Sequence, residues 1–596
     1  MAWSRRWGLG PVFVYEWLTG ARRWQMYALR AIYLAMLLVC LAMVWVPFEG
    51  RDLTIGLTAS ISGVFFWRLG LLQLLLVMLA APAVMAGSIC VEKSRGTLLH
   101  LLVTDLSDDE IVLGKLAARL TPVLMVLASG VPVLALAGLL GGIDPGALLG
   151  SFLVTVGTAS VGCTLALVLS IWVRQMYQAL LLTYLVEGLL LVGPAPLQWL
   201  ITPAATWWTG VPFTKDWLAR RVNPFRLVGR PMATSGQVLA ECGMYFAVAV
   251  AASVWLLAVS VRRMRRVVTA QAFRPAKREE PGGAAGVLRW LPGPSLDGNP
   301  VLWREWHRKR PGKWAGRFWT AYAAASGLAS LGVIVVFYLD ASSRGWGREI
   351  APMVNAWQAA IGLLLLSASA PMALAEERDR GSMDVIMATP LATREIVWGK
   401  WWGTFALVPR LMIFPTWIVV GLAMVSENWL APLLMLGLIL AYAAAITSLG
   451  MALATWVPRL GRAVAWSVTI YAIAVIGPVA VVISLANRSL LSSPNARVIL
   501  AASPYFGVLE TTELAGRLTF QSGHDLRFLS VYIPLYIGAL AVFSLVLMRA
   551  TLATFDRRMG RVAEVPESWH LRPLPRPEGW SQGTTVVSEW TSTDAT

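Results

Sequence analysis

In a chain where 57% of residues are hydrophobic and 14% charged, Glu92, Gly96, Thr97, Glu110, Gly114 and Lys115 stand together between two apolar stretches. Glutamates at such a boundary can accept charge-assisted hydrogen bonds from a basic group on a partner or on a neighbouring interfacial helix. Each such bond, when partly buried, is worth ~1.5–3 kcal/mol. The same pattern returns without a gap 285 residues later as Glu377, Gly381, Ser382, Glu395, Gly399 and Lys400. Hydrophobic composition does not generate an ungapped charged repeat, so the spacing points to internal duplication, each half presenting the same hydrophilic feature.

The local chemistry predicts how this feature is built. Ser107 with Glu110 is a capping box, and Asp108 and Asp109 add negative charge at a helix N-terminus. A helix from Ser107 to Leu140 would be about 50 Å long against a hydrocarbon core of ~30 Å, so its first turns stand out of a bilayer. Gly96 and Gly381 permit a sharp reversal, and Thr97 or Ser382 is placed to cap the segment after it. The second copy has Ala392 in place of Ser107, which leaves its box incomplete and makes Thr393 the expected cap.

The elements around these residues are apolar helices. Mean hydropathy of +0.63 and recurrent apolar runs of about 20 residues define an all-α polytopic membrane protein. We expect twelve transmembrane helices, near 31–47, 64–89, 116–140, 147–173, 179–200 and 242–261 in the first half. Those of the second lie near 318–338, 356–375, 403–425, 429–456, 463–485 and 530–549. Ahead of each set, Pro11-Val12 with Glu16-Trp17, and Pro300-Val301 with Glu305-Trp306, mark an interfacial helix. Trp172-Val173 with Gly193-Pro194, against Trp456-Val457 with Gly477-Pro478, is a third repeat marker. Six spans per half leave the halves parallel. The expected organisation is residues 1–270 as the first six-span unit, 271–297 as a flexible linker, 298–560 as the second unit and 561–596 as a disordered tail.

The net charge of +17 reads here as orientation, not as nucleic-acid binding. Most lysines and arginines, including Arg262, Arg263, Arg265 and Arg266, fall on the face of the repeated loops. The positive-inside rule places that face and both termini in the cytoplasm, the protein being integral to the cytoplasmic (inner) membrane. The loop 201–241, with Lys215, Arg220, Arg221, Arg226 and Arg230, runs against the count but comes after established spans. Asn223-Pro224-Phe225 and Ser503-Pro504-Tyr505 predict short re-entrant or interfacial helices outside. The first apolar segment has no small-residue cleavage site and reads as an anchor. Cys40, Cys90, Cys163 and Cys242 make neither a disulfide framework nor a metal-ligand spacing, and read as small packing residues; no metal site is expected.

Together these features resemble the permease subunits of ABC transporters of the second, exporter type. Members have six spans, an amphipathic helix before the first, and a cytoplasmic loop between the second and third. In that loop the family pattern is similar to Glu-x-x-x-Gly-Thr, about ten residues, then Glu-Ile-x-x-Gly-Lys. It is matched here at Glu92, Gly96, Thr97, Glu110, Ile111, Gly114 and Lys115, and at Glu377, Gly381, Ser382, Glu395, Ile396, Gly399 and Lys400. The resemblance implies loops that dock on a separate ATPase, in two copies, with the chain a fused pair of units and the lipid bilayer its other partner. A charged loop between spans can also be a topology signal only. The chain has no phosphate loop of its own: Gly114-Lys115 is followed by Leu116, Gly399-Lys400 by Trp401 and Gly312-Lys313 by Trp314. It is therefore expected not to be an enzyme and to bind no cofactor, ATP acting through the partner.

Among the charges inside expected spans, Glu187 and Arg410 stand out. Glu187 reads either as a pathway residue or as a carboxyl bonded to Gln178 or Thr183 within its helix, and Arg410 as a side chain reaching to the headgroups. An ion-driven secondary transporter of twelve spans is the alternative function; it calls for a network of intramembrane carboxylates, for which Glu187 alone qualifies. A membrane-embedded enzyme such as a lipid-linked glycosyltransferase would need paired acids or a metal site at a loop.

Overall fold

The computed structural model describes residues 10–22, 24–45, 55–139, 144–173, 176–192, 222–228, 235–272, 299–307, 313–339, 346–379, 381–485, 494–517 and 523–560. The expected linker from residue 273, the tail 561–596, Gly193-Pro194 and the basic residues Lys215, Arg220, Arg221 and Arg230 lie outside them.

In chain order the first half comprises α1 (Gly10–Ala21), α2 (Trp24–Trp45), α3 (Ile55–Met85), α4 (Gly87–Arg95), α5 (Thr97–Val103) and α6 (Asp108–Leu139). It continues with α7 (Pro145–Trp172), α8 (Met176–Val192), α9 (Pro224–Val228) and α10 (Ser235–Ala272). The second half begins with α11 (Pro300–His307), α12 (Lys313–Leu339), α13 (Trp346–Asp379), α14 (Ser382–Met387), α15 (Thr393–Phe405) and α16 (Val408–Ser426). Then come α17 (Leu430–Trp456), α18 (Leu460–Leu485), α19 (Pro494–Ala501), α20 (Pro504–Ala515), α21 (Gly523–Arg527) and α22 (Ile533–Met559). No strand occurs among the described residues.

Nine helical stretches among the described residues are long and apolar enough to cross a membrane, which marks the chain as membrane-embedded. They fall at nine of the twelve expected places. Shorter apolar helices occupy the other three, at Arg30–Val39, Gln178–Leu191 and Thr320–Val335. Pro82, Pro122 and Pro132 lie inside α3 and α6 without ending them, whereas the span expected near 403–425 is broken at Ala406–Leu407, between α15 and α16.

Small residues let the long helices approach closely. A Cβ on Gly150 of α7 would stand 3.2 Å from Cys242 of α10, and one on Gly450 of α17 would meet Ala370 of α13 at 2.5 Å. In lipid, where apolar side chains gain little by leaving their surroundings, such close backbone contact supplies the packing energy. Between the halves, α18 packs on α3 and α8, and α8 also meets α13, where Gly188 lies against Trp357. Outside the spans, α9 and α20 stand at the two expected places. There Asp525 is buried and bridges Arg497 (3.2 Å) and Arg517 (3.0 Å), while Arg517 also holds Glu513 at 2.7 Å.

Candidate functional site

The repeated stretch is folded almost throughout, not an open loop. α4 continues α3 with a break at Ala86 only, carries Glu92 on its last turns, and ends at Gly96 with φ +74°. Gly381 does the same after α13, with φ +70°. Both glycines occupy the left-handed region that L side chains avoid, so the chain turns sharply into the short helices α5 and α14. The hydroxyls of Thr97 and Ser382 do not cap these short helices. Each turns back and donates to a carbonyl of the preceding helix, Glu92 O at 3.4 Å and Glu377 O at 3.2 Å, because the helix C-terminus offers unpaired carbonyls there.

The capping box of the first copy is present. Ser107 N donates to Glu110 Oε2 at 3.1 Å and Glu110 N to Ser107 Oγ at 3.4 Å. The second copy has one half of it: Ala392 N donates to Glu395 Oε2 at 3.2 Å, and Ala392 has no oxygen to return the bond. Thr393 does not substitute as a cap through its hydroxyl, which donates to Asp556 Oδ1 of α22 at 2.6 Å. In the first copy Asp108, the repeat mate of Thr393, reaches α10 by an ion pair with Arg265 at 3.1 Å.

The motif's lysines are the centre of the site. Lys115 Nζ lies 2.6 Å from Glu16 Oε1 and 2.5 Å from Glu92 Oε1. Lys400 Nζ lies 2.5 Å from both Glu305 Oε1 and Glu377 Oε1. Each lysine is buried and joins three elements: the interfacial helix (α1 or α11), the end of the second span, and the start of α6 or α15. Lysine suits this place because its ammonium offers three donors from one point, able to serve two carboxylates arriving from different helices. The interfacial helices thus supply the carboxylates Glu16 and Glu305; of the basic groups expected opposite Glu92 and Glu377, on a partner or on these helices, α11 provides Arg304 near Glu377.

A lysine between two carboxylates leaves one negative charge over, and burial makes that costly. The halves answer it differently. In the first, Arg119 Nε approaches Glu16 Oε2 at 3.3 Å; in the second, Arg304 approaches Glu377 Oε1 at 3.5 Å. Their repeat mates are Thr404 and Tyr15, so the balancing cation was placed separately in each half. Among the described residues, Glu92 Oε2 and Glu377 Oε2 are buried and find no hydrogen-bond partner.

Glycine precedes each lysine, and in the second half the reason is visible. A Cβ on Gly399 would stand 2.9 Å from Val301 Cβ and 3.1 Å from Leu302 N; one on Gly403 would stand 2.6 Å from Glu305 Cβ. The α11 helix therefore lies directly on the α15 backbone. Asn299 sews its start down, accepting from Leu302 N and donating to Glu395 O, both at 3.0 Å. In the first half α1 lies on α6 in the same way, with Gly10 against Glu110. Trp17 stacks on Phe13 within α1, and Trp306 is half-buried on α11.

One pair of functional positions escaped the sequence reading. Lys93 Nζ donates to Ser170 O and Val173 O, both at 3.0 Å, and also to Ile171 O; Arg378 donates to Val457 O. Both cap the C-terminal carbonyls of the fourth span, where a cation also complements the helix dipole. The signal that could have found them was a basic residue directly after the repeated glutamate in both copies. Arg68, fully buried in α3 beside Phe65 and Leu69, was also missed among the charges inside spans.

Glu187 is not brought to the loops. It is buried in α8, with Oε1 2.7 Å from where a Cβ on Gly162 of α7 would stand, next to Ala81 and Pro82. Thr183 donates to Ala179 O, not to Glu187. Arg410 is exposed. Cys90, Cys163 and Cys242 are buried packing residues outside any disulfide, and the Cys40 side chain lies outside the described ones. No group of acids, histidines and cysteines suited to a metal occurs among the described residues. No protein-family model matches the chain, and no curated protein matches it.

Proposed function

We propose that the chain is the membrane subunit of an ATP-driven exporter, two six-span units fused in parallel and driven by a separate ATPase bound at the two repeated loops. The observation that carries this reading is the duplicated Glu–Lys–Glu cluster. It makes interfacial helix, loop and third span one unit in each half, so a push on the loop would move helices in the membrane instead of bending a tether. Beyond each cluster projects a short helix with an apolar residue turned outward, Val103 (86% exposed) at the end of α5 and Val385 (70% exposed) on α14. An ATPase cleft would cover these residues. The clusters face inward, so they stiffen the loops; the projecting helices are what a partner touches.

The test is co-purification with the ATPase and measurement of ATP hydrolysis. The double variant Val103→Asp, Val385→Asp should express and melt like the unaltered chain, yet lose the ATPase or its stimulation. Unchanged binding and stimulation would remove the docking role. Hydrolysis by the purified chain alone would remove the division of labour. Reporter fusions after Arg266 and after Arg558 should both report the cytoplasm, and an outside signal at either would overturn the topology.

A further inference from the structure

Where α15 meets α22, two adjoining recesses open on the side of the molecule that carries the repeated loops. One, of about 520 Å³, is lined by Asn299, Arg394, Glu395, Trp398 and Trp402. The other, of about 330 Å³, is lined by Arg394, Trp398, Leu545, Met548, Arg549 and Leu552. Arg394 and Trp398 belong to both, so the recesses form one groove. From these residues we infer that the groove is a binding site for a single anionic phospholipid, its phosphate held between Arg394 and Arg549.

The two walls are helix faces in register. Residues 394, 398 and 402 fall four apart on α15, and 545, 548, 549 and 552 keep the three-four spacing of one face of α22. The Thr393–Asp556 hydrogen bond pins the walls together at one end. Both arginines are exposed, and among the described residues neither is ion-paired. Glu395, the one acid in the lining, is already engaged by Ala392 N.

The position excludes most ligands other than a lipid. Val542, Phe543, Leu545 and Val546 of α22 are all about half exposed or more, an apolar surface that only acyl chains would cover in a membrane-embedded protein. Arg549 stands one turn after Leu545 on that same helix. The groove therefore grades from an acyl-facing wall (Leu545, Met548, Leu552), past two arginines, to tryptophans of the kind that sit at headgroup level. Basic pockets between membrane helices near the interface suit anionic headgroups. Arginine's planar fork, moreover, matches a phosphate diester better than a point charge does.

The first half lacks the site at the same place. The repeat mates of Arg394, Trp398 and Trp402 are Asp109, Leu113 and Ala117, so the wall there is acidic and has no tryptophan. One lipid per chain is therefore expected, on the second half. This holds whether or not an ATPase binds the loops.

The experiment is native mass spectrometry of the full chain in detergent, titrated with dioleoylphosphatidylglycerol, with dioleoylphosphatidylcholine, or with inorganic phosphate. One phosphatidylglycerol should bind ahead of any further adducts, with phosphatidylcholine far weaker and millimolar phosphate failing to displace it. Each basic residue near a membrane surface contributes roughly fivefold to anionic-lipid affinity, so Arg394→Gln with Arg549→Gln should weaken that site about thirtyfold. Arg394→Lys with Arg549→Lys should keep most of it, and Asp109→Asn should leave it unchanged. Equal binding of both lipids, or unaltered phosphatidylglycerol binding by the double glutamine variant, overturns the site. Displacement by free phosphate would make it a soluble-anion site and overturns the lipid assignment.

Discussion

Glu377 and Lys400 form a 2.5 Å ion pair whose repeat mate, Glu92 with Lys115, has the same length. The surroundings differ. Lys400 is wholly buried and its two carboxylates are 5% and 9% exposed, whereas Glu16 and Glu92 are 14% and 23% exposed. Removing a lysine from a buried pair leaves carboxylates facing each other without a counterion, at a cost of about 3–5 kcal/mol. Lys400→Met should therefore lower the melting temperature strongly, and Lys115→Met by less, because water reaches its more exposed carboxylates. Adding Glu305→Gln and Glu377→Gln to Lys400→Met should recover part of the loss. A Lys400→Met protein that melts with the unaltered chain would show that the cluster contributes nothing to stability.

That partnership was only half legible beforehand. Charged residues in an apolar chain advertise themselves, so the repeat, its Glu and Lys spacing and the interfacial helices could be read from residue types. Spacing along the chain says nothing, however, about whether Lys115 closes on Glu92, 23 positions before it, or on a partner protein. Burial decides that, and burial is a property of the fold. The same holds for Thr97 and Ser382: a hydroxyl after a glycine can cap forward or backward, and the unpaired carbonyls behind it won. Arg68 and Lys93 were passed over because nothing local separates a buried arginine, or a lysine capping a distant helix, from an ordinary interfacial charge.

The close approach of α11 to α15 makes two glycines selective. Gly399→Ala would press a methyl against Val301 and the Leu302 backbone, and Gly403→Ala one against Glu305 Cβ. Backbone and Cβ atoms cannot swing aside, so α11 must lift and the Glu305–Lys400 pair must lengthen. We expect each to destabilise by about 1–3 kcal/mol, the usual range for overpacking. Gly538→Ala on α22, where a Cβ meets nothing within 4 Å, is the control and should gain up to ~1 kcal/mol of helix propensity. Thermal melting of the three variants checks this. Equal effects at Gly399 and Gly538 would mean that α11 does not rest on α15.

Outside the spans, burial pushes the Glu510 carboxyl above the usual carboxylate range. Arg497 and Arg517 pull it back, and Glu513 and Asp525 push it further up. A carboxyl raised in the folded state binds its proton more tightly there than when unfolded. Its contribution is then full at low pH and declines as pH rises from the ordinary glutamate range through the raised value. Glu510→Gln mimics the protonated form at every pH. The variant should match the unaltered chain near pH 4 and become the more stable of the two towards pH 7. Parallel melting curves across that range would show that Glu510 does not titrate abnormally.

The incomplete capping box gives a prediction of opposite sign. Ala392 already has the extended backbone of an N-cap residue, with φ −65° and ψ 143°, and Glu395 already reaches back to its N–H. Glu395 N donates to Ala392 O, at 2.9 Å; what is missing is a side-chain oxygen to accept from it as well, the bond that Ser107 provides to Glu110 N in the first copy. Serine at such a position is worth about 0.5–2 kcal/mol over alanine. Ala392→Ser should therefore stabilise the first turn of α15, and Ser107→Ala should weaken that of α6 by a similar amount. Hydrogen exchange resolves the two sites: the amide of Glu395 should slow in Ala392→Ser and that of Glu110 should quicken in Ser107→Ala, with little change elsewhere. Residue 392 is exposed, so the serine hydroxyl has room and meets no packed neighbour. If the Glu395 amide exchanges as before, the first turn of α15 is already held by the Glu395 N–Ala392 O and Thr393–Asp556 bonds and needs no cap.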